Sequence, residues 1–240
     1  MKIIEKLRLK DENVFHHKAP VIAILGDSMS AGCFEVYTKL DGSMGVTFDP
    51  SSAYDVKLRE ILVKLFPKSE PVIINASRNG ERAETAKERV ERDILSYNPD
   101  LTIVCLGLND ATRGDDYADT FSTSLAEILD KIQGAGAEVI FMTPQLRCIE
   151  EFPDVKDSAS LAAIKRISES EQNGDLIKYM DIARELCKER NIPVCDIMRI
   201  WEQFRQGGVD INLLLANRIN HPMREWHLQF AYELVKTMFS

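Results

Sequence analysis

The stretch VIAILGDSMS, residues 21–30, sets the reading of the whole chain. Val21–Leu25 is an unbroken apolar run, too short for a helix and rich in β-branched residues. It is closed by Gly26-Asp27-Ser28, which are turn formers. Continuous rather than alternating apolarity suits a strand covered by helices on both faces. Four more runs of the same kind follow: Val72–Asn75, Leu101–Leu106, Glu138–Met142 and Pro193–Ile197. Between and after them lie helical patterns. Tyr54–Phe66 carries Val56, Ile61, Leu62 and Leu65, and Glu81–Tyr97 repeats Ala83, Ala86, Val90, Ile94 and Tyr97. Phe121–Ile132 is a third, and Ser158–Arg190 reads as two helices broken near Asn173-Gly174. Arg224–Phe239 places Trp226, Phe230, Ala231, Leu234, Val235 and Met238 on one stripe at the 3.6 period. Repeated strand–helix alternation predicts an α/β fold with a parallel sheet of about five strands and helices on both faces.

No internal repeat and no Ser- or Pro-rich linker divides the 240 residues, so a single domain spanning 1–240 is expected. Two segments exceed simple connections, Ser30–Ser52 and Gln145–Asp157. Both follow strand C-termini, where open α/β sheets bind ligands, and both are expected to border the site.

Composition closes off several classes. With 38 acidic against 30 basic residues, a net charge of −8 and a pI near 5.2, the chain lacks the basic footprint of nucleic-acid binding. No apolar run approaches the ~18–20 residues of a membrane span. The first eighteen residues carry charges throughout, unlike a secretory signal. Five scattered cysteines contain no C-x-x-C pair, and His16-His17 stands without partner ligands, so no metal and no cofactor is expected. A reducing, cytoplasmic setting is the simplest expectation.

The residues able to do chemistry sit at strand ends. Gly26-Asp27-Ser28 follows the first strand, and Asn75-Ala76-Ser77-Arg78-Asn79-Gly80 the second. Gly107-Leu108-Asn109-Asp110 follows the third, and Asn220-His221-Pro222 precedes the last helix. In a parallel sheet the first three share one edge, and a loop entering the last helix can reach it. The set offers a hydroxyl (Ser28), a backbone N–H at a glycine (Gly80), a carboxamide (Asn109) and an imidazole (His221). Those are the nucleophile, oxyanion donors and general base of an acyl-transfer site. Each also has an ordinary structural reading: a capped turn, a flexible glycine, a cap, an exposed loop histidine. Only the ordered combination is informative. The nucleophile elbow Gly-x-Ser-x-Gly and the dinucleotide pattern G-x-G-x-x-G are both missing.

In these blocks the chain resembles the SGNH hydrolases, or GDSL esterases. Gly26-Asp27-Ser28-Met29 matches their first block, and Asn75 with Gly80 the second. Gly107-x-Asn109-Asp110 matches the third, and His221 the last. The resemblance implies a flavodoxin-like three-layer α/β/α fold. It also implies a serine esterase acting on a small-molecule ester; no long apolar groove is visible in the sequence, which favours a short acyl or O-acetyl group. By the same resemblance Ser28 attacks, His221 acts as base, and Ser28 N–H, Gly80 N–H and Asn109 hold the oxyanion. One position departs from the pattern. The acid usually found three residues before the histidine is Arg218 here, or Asn217 if the register shifts by one. A backbone carbonyl or the Asn217 side-chain oxygen is therefore expected to orient His221. Asp210 is the only nearby upstream carboxylate, within reach only if Ile211–Ala216 folds back as a short helix. Asp27 is expected to brace the loops, and His227 to pack. The rival readings are a non-catalytic binding module of the same fold that has lost the triad acid, and a nucleotide or phosphate binder.

Overall fold

The computed structural model describes residues 1–240. Its strands are β1 (Val21–Gly26), β2 (Cys33–Thr38), β3 (Met44–Phe48), β4 (Val72–Asn75), β5 (Leu101–Cys105), β6 (Glu138–Met142) and β7 (Val194–Cys195). Five of them form a parallel sheet in the order β4-β1-β5-β6-β7, while β2 and β3 pair antiparallel as a separate hairpin. The helices are α1 (Lys2–Glu12), α2 (Tyr54–Leu65), α3 (Ala83–Lys87), α4 (Val90–Asp93), α5 (Ala118–Gly134), α6 (Ser158–Gln172), α7 (Asp175–Glu189), α8 (Ile197–Gln206) and α9 (Arg224–Phe239). One helical layer holds α1, α2 and α9, with α8 joined to it through Trp201 against Trp226 and Phe230. The other is built on α5, against which α3, α4 and α7 pack, with α6 beside α7. This is the three-layer α/β/α arrangement expected from the strand–helix alternation.

The apolar runs explain the sheet. Ile22 to Leu25 and all of β5 are buried, because helices cover both faces. One cluster of 53 buried apolar residues runs through both layers. Each fully buried Leu, Ile or Phe side chain stabilises the fold by about 1.5–3 kcal/mol. The strand order also places the site. β1 is flanked by β4 on one side and β5 on the other, so the chain reverses its winding direction there. Such a switch point opens a crevice at the strand C-termini, and Ser28 follows the C-terminus of β1.

Several expectations need correction. The segment Ser30–Ser52 is not an irregular loop but the β2–β3 hairpin followed by a short 3₁₀ turn at Pro50–Ser52. Its turn uses Asp41-Gly42, where Gly42 has φ +80°. The helix expected over Glu81–Tyr97 is broken into α3, α4 and a 3₁₀ turn. Arg89, at φ −119° and ψ 0°, turns inward to bond Glu81 and the Ala76 carbonyl. Ala83, Ala86, Val90 and Ile94 are still buried, so apolar spacing survives without a continuous helix. β4 lies at the sheet edge, and Val72 is exposed rather than covered on both faces. The last strand is shorter than Pro193–Ile197 because Asp196 accepts the Arg199 N–H and starts α8. Helix α1 carries no expectation from sequence. It buries Ile3 and Leu7, four residues apart, and the Glu138 carboxylate accepts the N–H groups of Lys2 and Ile3.

Gly107, two residues past the end of β5, is a point that strongly favours glycine. It has φ +116°, and an added Cβ would stand 2.3 Å from Met180 Cε. Gly107→Ala is expected to destabilise the protein by about 1–3 kcal/mol through backbone strain and overpacking. Urea unfolding at equilibrium checks this; an unchanged midpoint would show that the loop relaxes freely.

Candidate active site

The turn after β1 is a single helical coil. Ala31 N–H donates to Asp27 O at 3.0 Å, and Cys33 N–H to Ser28 O at 3.0 Å. Asp27 Oδ1 accepts the Met29 N–H at 3.0 Å, an Asx turn that fixes the residues on both sides of Ser28. Gly26 has no room for a side chain, since a Cβ would sit 2.4 Å from Ser30 Oγ. The coil is therefore pressed onto the sheet end, and Ser28 is only 2% exposed.

His221 arrives from the far end of the chain. It lies in the loop between α8 and α9, where Asn217 Oδ1 accepts three backbone N–H groups: Ile219 at 3.0 Å, Asn220 at 2.9 Å and His221 at 2.9 Å. Asn217 thus shapes the loop and is not the ring's partner. His221 Nε2 stands 3.0 Å from Ser28 Oγ, and Nδ1 stands 3.0 Å from the backbone carbonyl of Phe34 on β2. A carbonyl can only accept, so Nδ1 carries the proton and Nε2 is left as the acceptor facing the hydroxyl. Burial pushes the His221 pKa down to about 4, with the Phe34 bond opposing the shift. The imidazole is therefore neutral at pH 7.

The other orienting candidates lie elsewhere. Asp210 uses its carboxylate on the Asn212 N–H, capping the 3₁₀ turn Ile211–Leu214. That turn does form where a fold-back would need it, but both ring nitrogens of His221 are already taken. Arg218, at φ +57°, donates to Asn212 O at 3.1 Å. Its guanidinium lies over the Phe152 ring at 4.5 Å and within 3.4 Å of Asp154. It thereby ties the segment Gln145–Asp157 to the histidine loop. Gln145 Nε2 donates to Asn220 O, and Cys148 N–H to Ile219 O at 2.8 Å, so this long segment does border the site. His227 is buried packing, with Nδ1 accepting the Tyr54 N–H at 3.1 Å and its ring against Phe34 and Phe230.

The remaining two blocks meet the first at Gly26 and Asp27, the two residues before Ser28. Asn109 Nδ2 donates to Glu81 O at 3.0 Å and, at a long 3.4 Å, to Asp27 Oδ2. Asp110 Oδ1 accepts the Ala83 N–H at 3.0 Å, joining the third block to the loop of the second. Gly80 is exposed with φ +74°. Neither the Ser28 nor the Gly80 N–H donates to another group of the chain. Burial pushes the Asp27 carboxyl up to about 7, the Met29 N–H opposing and the charges of Asp110 and Glu81 adding. Burial likewise raises Asp110 to about 6.

Two buried ion pairs, not anticipated from sequence, hold these loops. Arg89 pairs with Glu81 and also donates to Ala76 O at 2.7 Å. Arg147, fully buried, pairs with Glu171 at 2.6 Å and donates to Leu108 O at 3.2 Å, inside the Gly107–Asp110 block. Spacing alone gives no sign of such partners: Arg89 and Glu81 stand eight residues apart across a broken helix, and Arg147 and Glu171 twenty-four apart in different segments.

The model of the GDSL-like Lipase/Acylhydrolase family matches residues 24–227. A curated relative, an acetylxylan esterase of Geobacillus stearothermophilus, is 25% identical over 132 residues, 51% of this chain. That aligned stretch spans only 58% of the relative's own length. Among solved structures, the lipase/acylhydrolase from Enterococcus faecalis shares 20% identity at a TM-score of 0.66, over 91% of this chain and 95% of that one. A two-domain esterase active on acetylated mannans shares 17% identity at a TM-score of 0.68, over 99% of this chain and 52% of that one. At such identities the structural likeness is one of fold. With the family pattern matched across most of its length on that fold, the chain belongs to the GDSL-like lipase/acylhydrolase family.

Proposed function

We propose that the chain is a carboxylic ester hydrolase that works by two-step acyl transfer through Ser28 and His221. The observation that carries this reading is the pair of hydrogen bonds on His221, Nε2 to Ser28 Oγ and Nδ1 to Phe34 O, each at 3.0 Å. Ser28 Oγ attacks the ester carbonyl while its proton passes to Nε2. The imidazolium then returns a proton to the leaving alcohol, and water hydrolyses the acyl-enzyme by the same base. The free N–H groups of Ser28 and Gly80, with the Asn109 amide, receive the oxyanion. Asn109 meets Asp27 only at 3.4 Å, so that hydrogen is the one it can hand over at little cost.

A short acyl or O-acetyl ester is the proposed substrate class. The acetylxylan esterase and the acetylated-mannan esterase among its relatives support that choice. The five free, buried cysteines suit the reducing, cytoplasmic setting we propose. The rival reading, a binding module without chemistry, gains nothing from the missing acid. A partner atom already sits on Nδ1, and the nucleophile-to-base hydrogen bond is formed.

Ser28→Ala is expected to lower hydrolysis of p-nitrophenyl acetate by roughly 10⁴-fold or more with an unchanged melting temperature. The native protein should also be labelled by a fluorophosphonate. No labelling and no turnover across a panel of graded acyl length would favour the binding module.

Asn109→Ala should lower kcat by roughly 10²–10³-fold with little change in KM, the loss typical of one oxyanion donor. A change confined to KM would make Asn109 a substrate-binding residue instead.

The pH profile follows from the sign of the His221 shift. Its neutral form is the base, so activity is lost as pH falls through its pKa. The acid limb of kcat/KM is expected near pH 4, the value burial gives the ring, and not at the ordinary histidine value of about 6.5. An acid midpoint at 6.5 in the pH–rate profile would show that the ring is hydrated in the working enzyme.

A further inference from the structure

We propose that Arg224 is a positioning residue: by clamping the β2–β3 hairpin it holds the Phe34 carbonyl on His221, and the clamp stands in for the missing triad acid. The inference rests on the esterase reading above and goes beyond it to what makes a carbonyl serviceable there.

The hairpin does not place Phe34 by its own ladder. Cys33 pairs with Phe48 and Val36 with Val46, so Phe34 and Glu35 together face Thr47 alone. That two-against-one register is a β-bulge, which takes its residues out of regular pairing and re-aims them. Phe34 can therefore turn its carbonyl toward His221. For the same reason the ladder does not fix where that carbonyl points, and the hairpin is not part of the central sheet.

Arg224 supplies the fixing. It is the first residue of α9, three positions after His221. Its guanidinium lies over the Phe34 ring at 4.2 Å. Its two terminal nitrogens donate to the two carboxylate oxygens of Glu35, the bulged neighbour of Phe34. Nε donates to Asp49 Oδ2 at 2.8 Å, just past the end of β3. One side chain thus grips both strands of the hairpin and the ring whose carbonyl matters. The imidazole of His227, one turn further along α9, also packs on the Phe34 ring, tilted, at 4.9 Å between ring centroids. Arg224 holds the Glu35 carboxyl below its usual range; Asp49 is lowered first by Ser51 and then by Arg224. Both carboxyls are thereby biased toward the charged form that the clamp uses.

The chemistry calls for arginine. Only a planar guanidinium offers a two-pronged face to Glu35, a third donor to Asp49 and a flat surface to Phe34 at once. The clamp is also partly solvated, with side chains of Arg224, Glu35 and Asp49 at 35%, 44% and 27% exposure. Ion pairs of that exposure contribute little to folding. Removing the guanidinium should therefore leave a folded protein whose histidine is loosely held, which separates positioning from stability.

The test uses the full chain and the variants Arg224→Met, Arg224→Lys and Glu35→Gln. Arg224→Met should lower kcat on p-nitrophenyl acetate by roughly 10–100-fold, the scale of a misplacement near 1 Å, with KM within about twofold. Arg224→Lys and Glu35→Gln, which keep part of the grip, should fall between it and the native protein. Long-range ¹H–¹⁵N NMR of His221 should show the Nδ1–H form in the native protein. In Arg224→Met it should show a mixture of tautomers with faster proton exchange. An Arg224→Met protein that keeps its kcat, or that loses activity only in proportion to unfolded material, overturns the proposal. So does an unchanged Nδ1–H signal. If the native protein hydrolyses no ester and takes no fluorophosphonate, the esterase reading fails, and the NMR comparison still decides the role of Arg224.

Discussion

Everything at this sheet edge depends on one hydrogen bond, from His221 Nδ1–H to the carbonyl of Phe34. A buried imidazole with no partner on that nitrogen would be free to carry its proton on the wrong side. Ser28 would then face a donor in place of an acceptor. The carbonyl fixes the tautomer as a carboxylate would. It differs in charge, because a neutral dipole stabilises a developing imidazolium less than an anion does. The low pKa of His221 expresses the same fact: burial disfavours the charged ring, and no anion compensates. A site built this way gains orientation in full and electrostatic support only in part.

The loops that meet there are separately anchored by buried charge. Glu81 and Arg89 hold the segment after β4, and Arg147 with Glu171 hold the segment after β5 from below. Such pairs contribute little to net stability compared with apolar packing, yet removing one partner leaves an uncompensated buried charge. Their use here is geometric. Each arginine also donates to a main-chain carbonyl, Ala76 in one case and Leu108 in the other, so it grips a loop as well as an acid. The buried carboxyl groups of Asp27 and Asp110 add further ties, accepting the N–H groups of Met29 and Ala83.

How much of this the sequence discloses depends on how local each interaction is. The runs of β1, β5 and β6 are legible because burial on both faces demands unbroken apolar residues. The candidates Ser28, Gly80 and Asn109 are legible because open α/β sheets bind ligands at their C-terminal strand ends, with His221 joining them only as part of the ordered set. Less is visible wherever tertiary context overrides local pattern. Glu81–Tyr97 has a helical period, but Arg89 breaks its continuity by reaching inward. Ser30–Ser52 conceals a hairpin because Cys33–Thr38 mixes buried and exposed residues around a bulge. Helix α1 is charged enough to look featureless, and its cap, Glu138, lies over a hundred residues away. The orienting group of His221 is illegible in principle as a particular residue, since every residue has a carbonyl. Sequence could limit the choice to a main-chain oxygen, Asn217 or Asp210, and only the fold could point to Phe34.

That last point bears on how the site is inherited. A triad acid is vulnerable to a single codon change, because its function resides in its side chain. The carbonyl of residue 34 survives every substitution at residue 34. What can be lost is its direction, and that is spread over the bulge, the contacts of Arg224 and His227 with the Phe34 ring, and the loop shaped by Asn217. Mutational damage should therefore fall gradually and at several positions instead of sharply at one. Drift at position 34 would be filtered by shape and volume and hardly at all by acidity. A relay of this design can persist in a lineage without leaving a conserved third letter beside its serine and histidine.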